Sequence, residues 1–287
     1  MSSPSATVVG LTVGVGAEYR AAVVTRVAMI GLMALVLVGC PGRPRPAEPL
    51  EPLEPPAAKV APLVVGVATE SPPMAFLRGN KAVGLEIDFA RALGEELGRP
   101  VRFIDIEWDD LFKELLAKRI DIVMSGMTVT RARGLRVAFS DPYLESGLVA
   151  LVRRPELEKY STREKILQSN DRVGFRIATT GEKFVADNMR FATRSGYRNV
   201  NDAALELRQQ RIDIFVSDAP IVAWLVSANE SELAAVWIPL TKDQLAWALR
   251  PDEEELRASV NAILARWRRD GTLRSILRRW LRGLPGL

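Results

Sequence analysis

The side chains best placed to act on a small molecule stand just beyond two nearly identical stretches of the chain. The first reads Glu114-Leu115-x-x-x-Arg119-Ile120-Asp121-Ile122-x-x-Ser125, the second Glu206-Leu207-x-x-x-Arg211-Ile212-Asp213-Ile214-x-x-Ser217. Past the first copy come Ser125, Thr128 and Arg133; past the second come Ser217 and Asp218. Hydroxyls, a guanidinium and a carboxylate are groups that hold polar or charged ligand atoms. Histidine is absent from the chain, which excludes His-dependent triads, His general bases and His metal sites. The single cysteine, Cys40, excludes an intrachain disulfide and a cysteine-based metal cluster. No phosphate loop or nucleotide fingerprint is present, and the sequence implies no cofactor. Glu182 stands apart as a lone carboxylate. It could serve as a single general acid, or close a capping box in Thr179-Thr180-Gly181-Glu182.

Each repeated stretch combines the end of an amphipathic helix, a turn marked by a basic residue, and a short apolar strand. Matched units this far apart predict two related α/β lobes rather than a short-period solenoid. Ligands sit at the strand ends of such sheets, so two lobes predict a cleft with two walls. In the first lobe, strands are expected at Leu63–Val67, Val101–Ile106 and Ile120–Met124. Helices follow Leu85 and Trp108, which makes a β-α-β-α-β alternation and a parallel sheet. In the second lobe, strands are expected at Val173–Ile177, Ile212–Val216 and Val236–Pro239, with helices near 181–191, 201–210 and 219–228. Extended stretches at Leu148–Val152 and Leu245–Leu249 predict an outward and a return crossing. Together they form a two-strand hinge about which the lobes close.

The chain has 287 residues, and the first 62 are set aside from the fold. Val27–Gly39 is apolar, follows Arg20 and Arg26, and is too short to span a membrane, which takes about 20 residues. It predicts a signal-peptide core. Leu37-Val38-Gly39-Cys40 looks like a lipobox, whose cysteine becomes the lipidated N-terminus. Pro41, Pro44, Pro46, Pro49, Pro52, Pro55, Pro56 and Pro62 make 41–62 a semi-rigid polyproline spacer. The expected domains are therefore a leader over 1–40, a linker over 41–62, a first lobe from 63–151 plus 246–287, and a second lobe over 152–245. Net charge is +4, much of it from arginines of the last helix. That basic face is either a solvated surface or a contact for anionic lipid or a partner. The aromatic–basic interleaving of nucleic-acid binders is missing.

The run Met124-Ser125-Gly126-Met127-Thr128-Val129-Thr130-Arg131-Ala132-Arg133, with Phe139-Ser140-Asp141-Pro142-Tyr143, resembles the family 3 periplasmic solute-binding proteins of polar amino acid ABC transporters. The likeness continues through Gly84-Leu85-Glu86-Ile87-Asp88, Trp108-Asp109-Asp110-Leu111, Thr179-Thr180-Gly181-Glu182 and Ser217-Asp218-Ala219-Pro220. It covers essentially all of 63–287. The resemblance implies the type II periplasmic-binding-protein fold, an extracytoplasmic location with a lipid anchor, an ABC permease as partner, and a monomer. It casts Arg133 as the clamp on an amino acid's carboxylate, a pairing that suits the guanidinium fork. The Thr180 backbone N–H assists at a helix start. Asp218 takes the ammonium with the Thr128 hydroxyl and the Ser125 carbonyl, and Trp108 forms an apolar wall. The bland alternatives are a surface arginine, an N-cap aspartate and a core tryptophan.

Departures from the family pattern bear on the ligand's side chain. Ala68 stands where relatives commonly carry aspartate, and Ser71 and Met74 where they carry aromatics. Glu70 is a substitute acid, and Arg176 lies where some relatives place a polar or basic group near the ligand's side chain. A neutral or acidic ligand is therefore expected over lysine or arginine. Cyclohexadienyl dehydratases also resemble these binding proteins, and Glu182-Lys183-Phe184 looks like the stretch that holds their catalytic glutamate. A ligand-sensing lipoprotein without transport is the third reading. Mass spectrometry of the mature protein is expected to find Cys40 N-terminal and acylated; an unmodified Cys40 would refute the lipoprotein assignment.

Overall fold

In the computed structural model, which describes residues 60–285, the two repeated stretches do the same structural job in two sheets. The leader, Cys40 and nearly all of the proline-rich linker lie outside the described residues. Ile122–Val123 runs parallel to Leu63–Val67, and Ile214–Asp218 runs parallel to Arg172–Arg176. Asp121 accepts hydrogen bonds from the Val64 backbone N–H at 3.0 Å and from Arg99 at 2.9 Å. Asp213 accepts from the Arg172 backbone N–H at 3.1 Å and from the guanidinium groups of Arg172 and Arg153. Each aspartate thus pins together the starts of two neighbouring parallel strands of its lobe. The preceding isoleucines fill matching places: a Cβ added at Gly66 would lie 2.3 Å from Ile120 Cδ1, and one at Gly174 2.5 Å from Ile212 Cδ1. Arg119–Glu114 and Arg211–Glu206 complete the duplication as exposed ion pairs, which contribute little to stability.

The two sheets share one strand order. The first runs Val101–Asp105, Leu63–Val67, Ile122–Val123, Ala248–Leu249, Ala138–Phe139. The second runs Thr193–Tyr197, Arg172–Arg176, Ile214–Asp218, Leu148–Arg153, Leu233–Val236. In each, three parallel strands are followed by an antiparallel strand that has just crossed from the other lobe. Leu63, Val65 and Val67 are fully buried against the helix Leu85–Glu96, which turns Leu85, Ile87, Phe89 and Leu93 inward. Phe89 packs on Tyr143, Trp247 and Trp267 with ring centroids 5.3, 5.6 and 6.2 Å away. Burying each large apolar side chain stabilises the lobe by about 1.5–3 kcal/mol.

The hinge lies a few residues earlier than expected on the outward side. Leu144–Ser146 pairs antiparallel with Asp243–Leu245, and these two short strands join the lobes. Leu148–Arg153 lies wholly in the second sheet, between Ile214–Asp218 and Leu233–Val236, so a boundary at 151/152 cuts through one strand. The reason is burial. Leu148–Val152 is apolar and buried at every position, which suits a sheet interior, whereas Leu144-Glu145-Ser146 is half polar and partly exposed. The edge strand Thr193–Tyr197 and the small sheet formed by Glu70–Ser71, Ala75–Arg78 and Lys81–Val83 were not expected; both are mostly polar or short. Trp108–Asp110 is a 3₁₀ turn that leads into the helix Leu111–Leu116. The chain closes with the helices Glu254–Asp270 and Thr272–Trp280, separated by Gly271 in the left-handed region at φ 86°. Part of their basic face folds back on the first lobe, where Arg266 pairs with Glu96 and Arg279 with Asp88.

Asp213→Ala removes the acceptor shared by Arg153, Arg172 and a strand N–H, leaving the largely buried Arg153 with only Glu156 as an acidic partner. Equilibrium urea unfolding is expected to show a loss of about 3 kcal/mol. A change under about 0.5 kcal/mol, the range of ordinary surface substitutions, would show that the repeated aspartate is not a structural tie.

Candidate ligand-binding cleft

Both sheets aim the carboxyl ends of their third strands at the same gap between the lobes. From the first lobe, Ile122–Val123 runs into Ser125–Thr128 and then the short helix Arg131–Gly134, capped by Thr130, whose hydroxyl accepts the Arg133 N–H. From the second, Ile214–Asp218 runs into the helix Ala219–Ala228, and Arg172–Arg176 into the helix Thr180–Asn188. The gap holds about 490 Å³ of atom-free space counting its mouth. It is floored by the hinge neighbours Leu148 and Leu245. Trp108, Ser125, Thr128, Arg133, Arg176, Thr180 and Asp218 all line it.

Arg133 extends along the first-lobe wall, donates to the Thr128 carbonyl at 2.9 Å, and sets its guanidinium 5.6 Å from the Trp108 ring centroid. Burial lowers its pKa, while Asp218 and Asp243 act in the opposite sense. Opposite stands Asp218, at the N-cap position of the helix Ala219–Ala228. Its side chain makes no capping hydrogen bond, and Oδ1 is shielded from solvent without a hydrogen-bond partner among the described residues. Burial, helped by the Asp243 charge and opposed by Arg133, pushes its pKa up from 3.8 to about 6. Buried polar atoms are rarely left unpaired, and such exceptions gather at functional sites. Arg176 is a second shielded cation. Its Nε donates to the Arg198 carbonyl at 3.0 Å, its guanidinium lies 4.8 Å from the same Trp108 ring, and burial lowers its pKa.

Caps distinguish the cleft from the rest of the second lobe. The helices Arg163–Leu167 and Val200–Arg208 are closed by Thr162 and Asn199 side chains. At the two that start on the cleft, neither N-cap residue, Thr179 or Asp218, makes a capping bond. Thr179 instead donates to the Arg176 carbonyl at 2.6 Å. The start of Thr180–Asn188 can thus give backbone N–H groups to an anion, whereas in Ala219–Ala228 the Ala219 N–H is taken by the Gly147 carbonyl at 3.0 Å and Pro220 has none.

The lobes touch across the mouth. The Trp108 indole N–H donates to the Ala178 carbonyl at 2.9 Å, and Arg198 faces Glu107 and Asp109 at 3.8 Å each. Two of the residues singled out in the sequence fall elsewhere. Glu70 is not part of the lining but stands 3.7 Å from Arg176. Glu182 reaches back to accept the Ala178 N–H at 2.6 Å, one residue before the N-cap amide of an ordinary capping box, and does not line the cleft. The Ser125 hydroxyl accepts the Ala68 N–H at 3.0 Å.

Sequence reasoning named Ser71 and Met74 only as replacements for aromatics and did not name Ile221; all three line the cleft, Ser71 with its hydroxyl shielded and unpartnered. It also gave no role to Glu86. This fully buried carboxylate accepts from the Gly126 N–H, the Tyr143 hydroxyl and the Trp247 indole at 2.5, 2.5 and 2.9 Å. It thereby ties the cleft wall to the segments flanking both hinge strands, and burial raises its pKa to about 7. A carboxylate within the apolar run Leu85-Glu86-Ile87 was the available signal.

A model of the bacterial extracellular solute-binding proteins, family 3, matches residues 63–283. The chain belongs to this family. Among its relatives, the L-cystine-binding protein TcyJ of Escherichia coli (strain K12) is 29% identical over 219 residues, covering 76% of this chain and 82% of TcyJ. The ABC transporter arginine-binding protein 1 of the same strain is 28% identical over 222 residues, 75% of this chain and 88% of that protein. The crystal structure of the ancestral amino acid-binding protein AncCDT-1, a precursor of cyclohexadienyl dehydratase, superposes with a TM-score of 0.71 at 32% identity. It covers 77% of this chain and 95% of AncCDT-1. This solute-binding protein therefore has the expected type II fold, two α/β lobes on a two-strand hinge.

Asp218 carries a direct prediction about stability. A carboxyl whose folded pKa is raised from 3.8 to about 6 is easier to fold protonated, so its ionisation costs stability as pH rises through that window, and the cost persists above it. Asp218→Asn is expected to stabilise the ligand-free protein at pH 7.5 by about 2 kcal/mol, with the gain shrinking toward pH 4. Chemical unfolding at several pH values tests this; a destabilised Asn variant at pH 7.5 would show that the carboxylate is structurally satisfied.

Proposed function

We propose that this protein is the extracytoplasmic ligand-binding component of an ABC importer for amino acids. It takes a free α-amino acid between its lobes and presents the closed form to a permease. The observation that carries this reading is the Asp218 carboxylate, which does not cap its helix and whose Oδ1 has no hydrogen-bond partner among the described residues, lining the same cleft as the Arg133 guanidinium. An α-amino acid carries a carboxylate and an ammonium a few ångströms apart, and both need partners once water is excluded. Arg133 meets the carboxylate together with backbone N–H at Thr180. Asp218 meets the ammonium, with Thr128 and the Ser125 carbonyl beside it, and Trp108 closes over the side chain. Arg133 comes from one lobe and Asp218 from the other, so a ligand that engages both favours closure.

In this reading the cleft is a binding site and not a catalytic one. A dehydratase needs its general acid over the departing hydroxyl, whereas the Glu182 carboxylate is engaged with the Ala178 N–H outside the cleft lining. The protein is held at the membrane surface as a monomer by a lipidated Cys40 and the 41–62 spacer, with no role in nucleic-acid binding. Several acyl chains give the stable anchoring that one chain lacks.

Isothermal titration with an amino acid panel is expected to find at least one tight ligand. Affinity should fall by about 100-fold or more in Arg133→Ala and in Asp218→Ala, each of which strands a buried charge. Tight binding that survives both substitutions would refute the assignment. So would phenylpyruvate formation from prephenate that is lost in Glu182→Gln, which would establish the dehydratase instead.

A further inference from the structure

The proposed clamp leaves one charge in the cleft unaccounted for. The lining carries two guanidinium groups, Arg133 and Arg176, and one carboxylate, Asp218. A zwitterionic amino acid brings one negative and one positive group, which Arg133 and Asp218 absorb. Arg176 then remains. Its side chain is 6% exposed, and its Nη2 is shielded with no hydrogen-bond partner among the described residues. The nearest acid, Glu70, is an ion-pair neighbour at 3.7 Å, beyond hydrogen-bond reach, and keeps 34% of its side chain exposed. The lining itself holds no acid besides Asp218.

A second orphan accompanies it. Ser71 is 2% exposed and lines the same cleft, and its hydroxyl also lacks a partner. Both unpaired groups are donors, one cationic and one neutral. Both arise from segments that meet near Glu70: Ser71 is its chain neighbour, and Arg176 is its ion-pair partner. A guanidinium with an unpartnered Nη2 and a hydroxyl lining one cleft suit a carboxylate, which accepts several hydrogen bonds at once. A cationic ligand side chain would instead lie beside a buried guanidinium whose nearest acid, Glu70, is only a loose and partly exposed partner. An apolar one would leave both donors buried and unpaired.

We infer that the ligand is an α-amino acid whose side chain carries a second carboxylate, held by Arg176 and Ser71. This inference rests on the Arg133–Asp218 reading of the α-carboxylate and ammonium. It sets the chain apart from the relative named for arginine. It is met either by a short acidic side chain, as in glutamate or aspartate, or by the distal end of a longer diacid such as cystine, whose second ammonium would face Glu70.

Isothermal titration of the purified protein with glutamate, aspartate, cystine, glutamine, asparagine and arginine tests the inference. At least one of the first three is expected to bind about tenfold or more tightly than glutamine, asparagine and arginine. A site built around a charged group discriminates strongly against ligands that leave it unpaired. Arg176→Gln, with folding checked by its melting curve, should cut that preference to about threefold or less while glutamine binding is retained. Ser71→Ala should reduce it partially. Glutamate or aspartate binding best assigns the short side chain, and cystine binding best assigns the longer one; either supports a distal carboxylate. Glutamine, asparagine or arginine binding as tightly as the diacids would overturn the inference and leave the amino acid assignment standing, as would an acidic preference that persists in Arg176→Gln. Failure of every amino acid to bind would overturn both.

Discussion

The cleft buries unequal charge, and much of the surrounding structure is what makes that possible. Two guanidinium groups and one carboxylate are held largely out of water, and no direct ion pair joins Asp218 to either arginine among the described residues. Flexible side chains would collapse onto one another and neutralise. Here they do not, because each is launched from or near a strand end whose other end is fixed. Asp121 and Asp213 pin the starts of the strands, and the carboxyl ends deliver Ser125–Thr128 and Asp218 to the gap. Arg133 is further restrained by its bond to the Thr128 carbonyl, and Arg176 by its bond to the Arg198 carbonyl. Trp108 offers an aromatic face to both guanidinium groups, which offsets part of their lost hydration.

Closure follows from the same geometry. The lobes are joined by two short paired strands, and across the mouth they share the Trp108–Ala178 hydrogen bond and loose ion pairs at 3.7–3.8 Å. Exposed or loose pairs of this kind contribute little, so they do little to fix the choice between open and closed arrangements. A ligand that spans opposite charges on the two lobes can then decide between them. Glu86 links this to the hinge. By accepting from Gly126, Tyr143 and Trp247 it makes the first-lobe wall and the segments leading into and out of the hinge one rigid piece.

The repeated Arg-Ile-Asp-Ile unit is legible in the sequence as a sign of two lobes, because an aspartate at the mouth of an apolar strand is unusual enough to stand out twice. Its meaning is less legible. Asp121 and Asp213 act at the strand starts, away from the cleft, and the functional side chains come only after the strands end. Arg133, Asp218 and Trp108 could be placed together because the ordered series of motifs resembles the family's, which casts them as one site. Partner satisfaction is not encoded that way. That Glu182 is occupied, that Asp218 is not, and that Ser71 and Arg176 face the cleft unpaired depend on contacts between segments distant in the chain. The hinge was misplaced for a related reason: an apolar extended run reads alike whether it crosses between lobes or fills a sheet.

The contrast between two carboxylates near helix starts shows what the fold is arranged to do. Glu182 closes on the backbone at Ala178 and so helps to shape a helix whose first residues line the cleft. Asp218 occupies the position from which aspartates most readily cap, yet leaves that bond unmade. Omitting a cap costs about 1 kcal/mol, and the raised pKa of the shielded carboxyl adds to the cost. Within the second lobe such omissions occur at the two helices that begin on the cleft, while Thr162 and Asn199 cap the others. A structure under pressure only to be stable would use Asp218 and Thr179 as caps. Leaving those two caps unmade keeps a carboxylate and the backbone donors at the start of Thr180–Asn188 available to a third party, which is the physical requirement for a cleft that binds by closing.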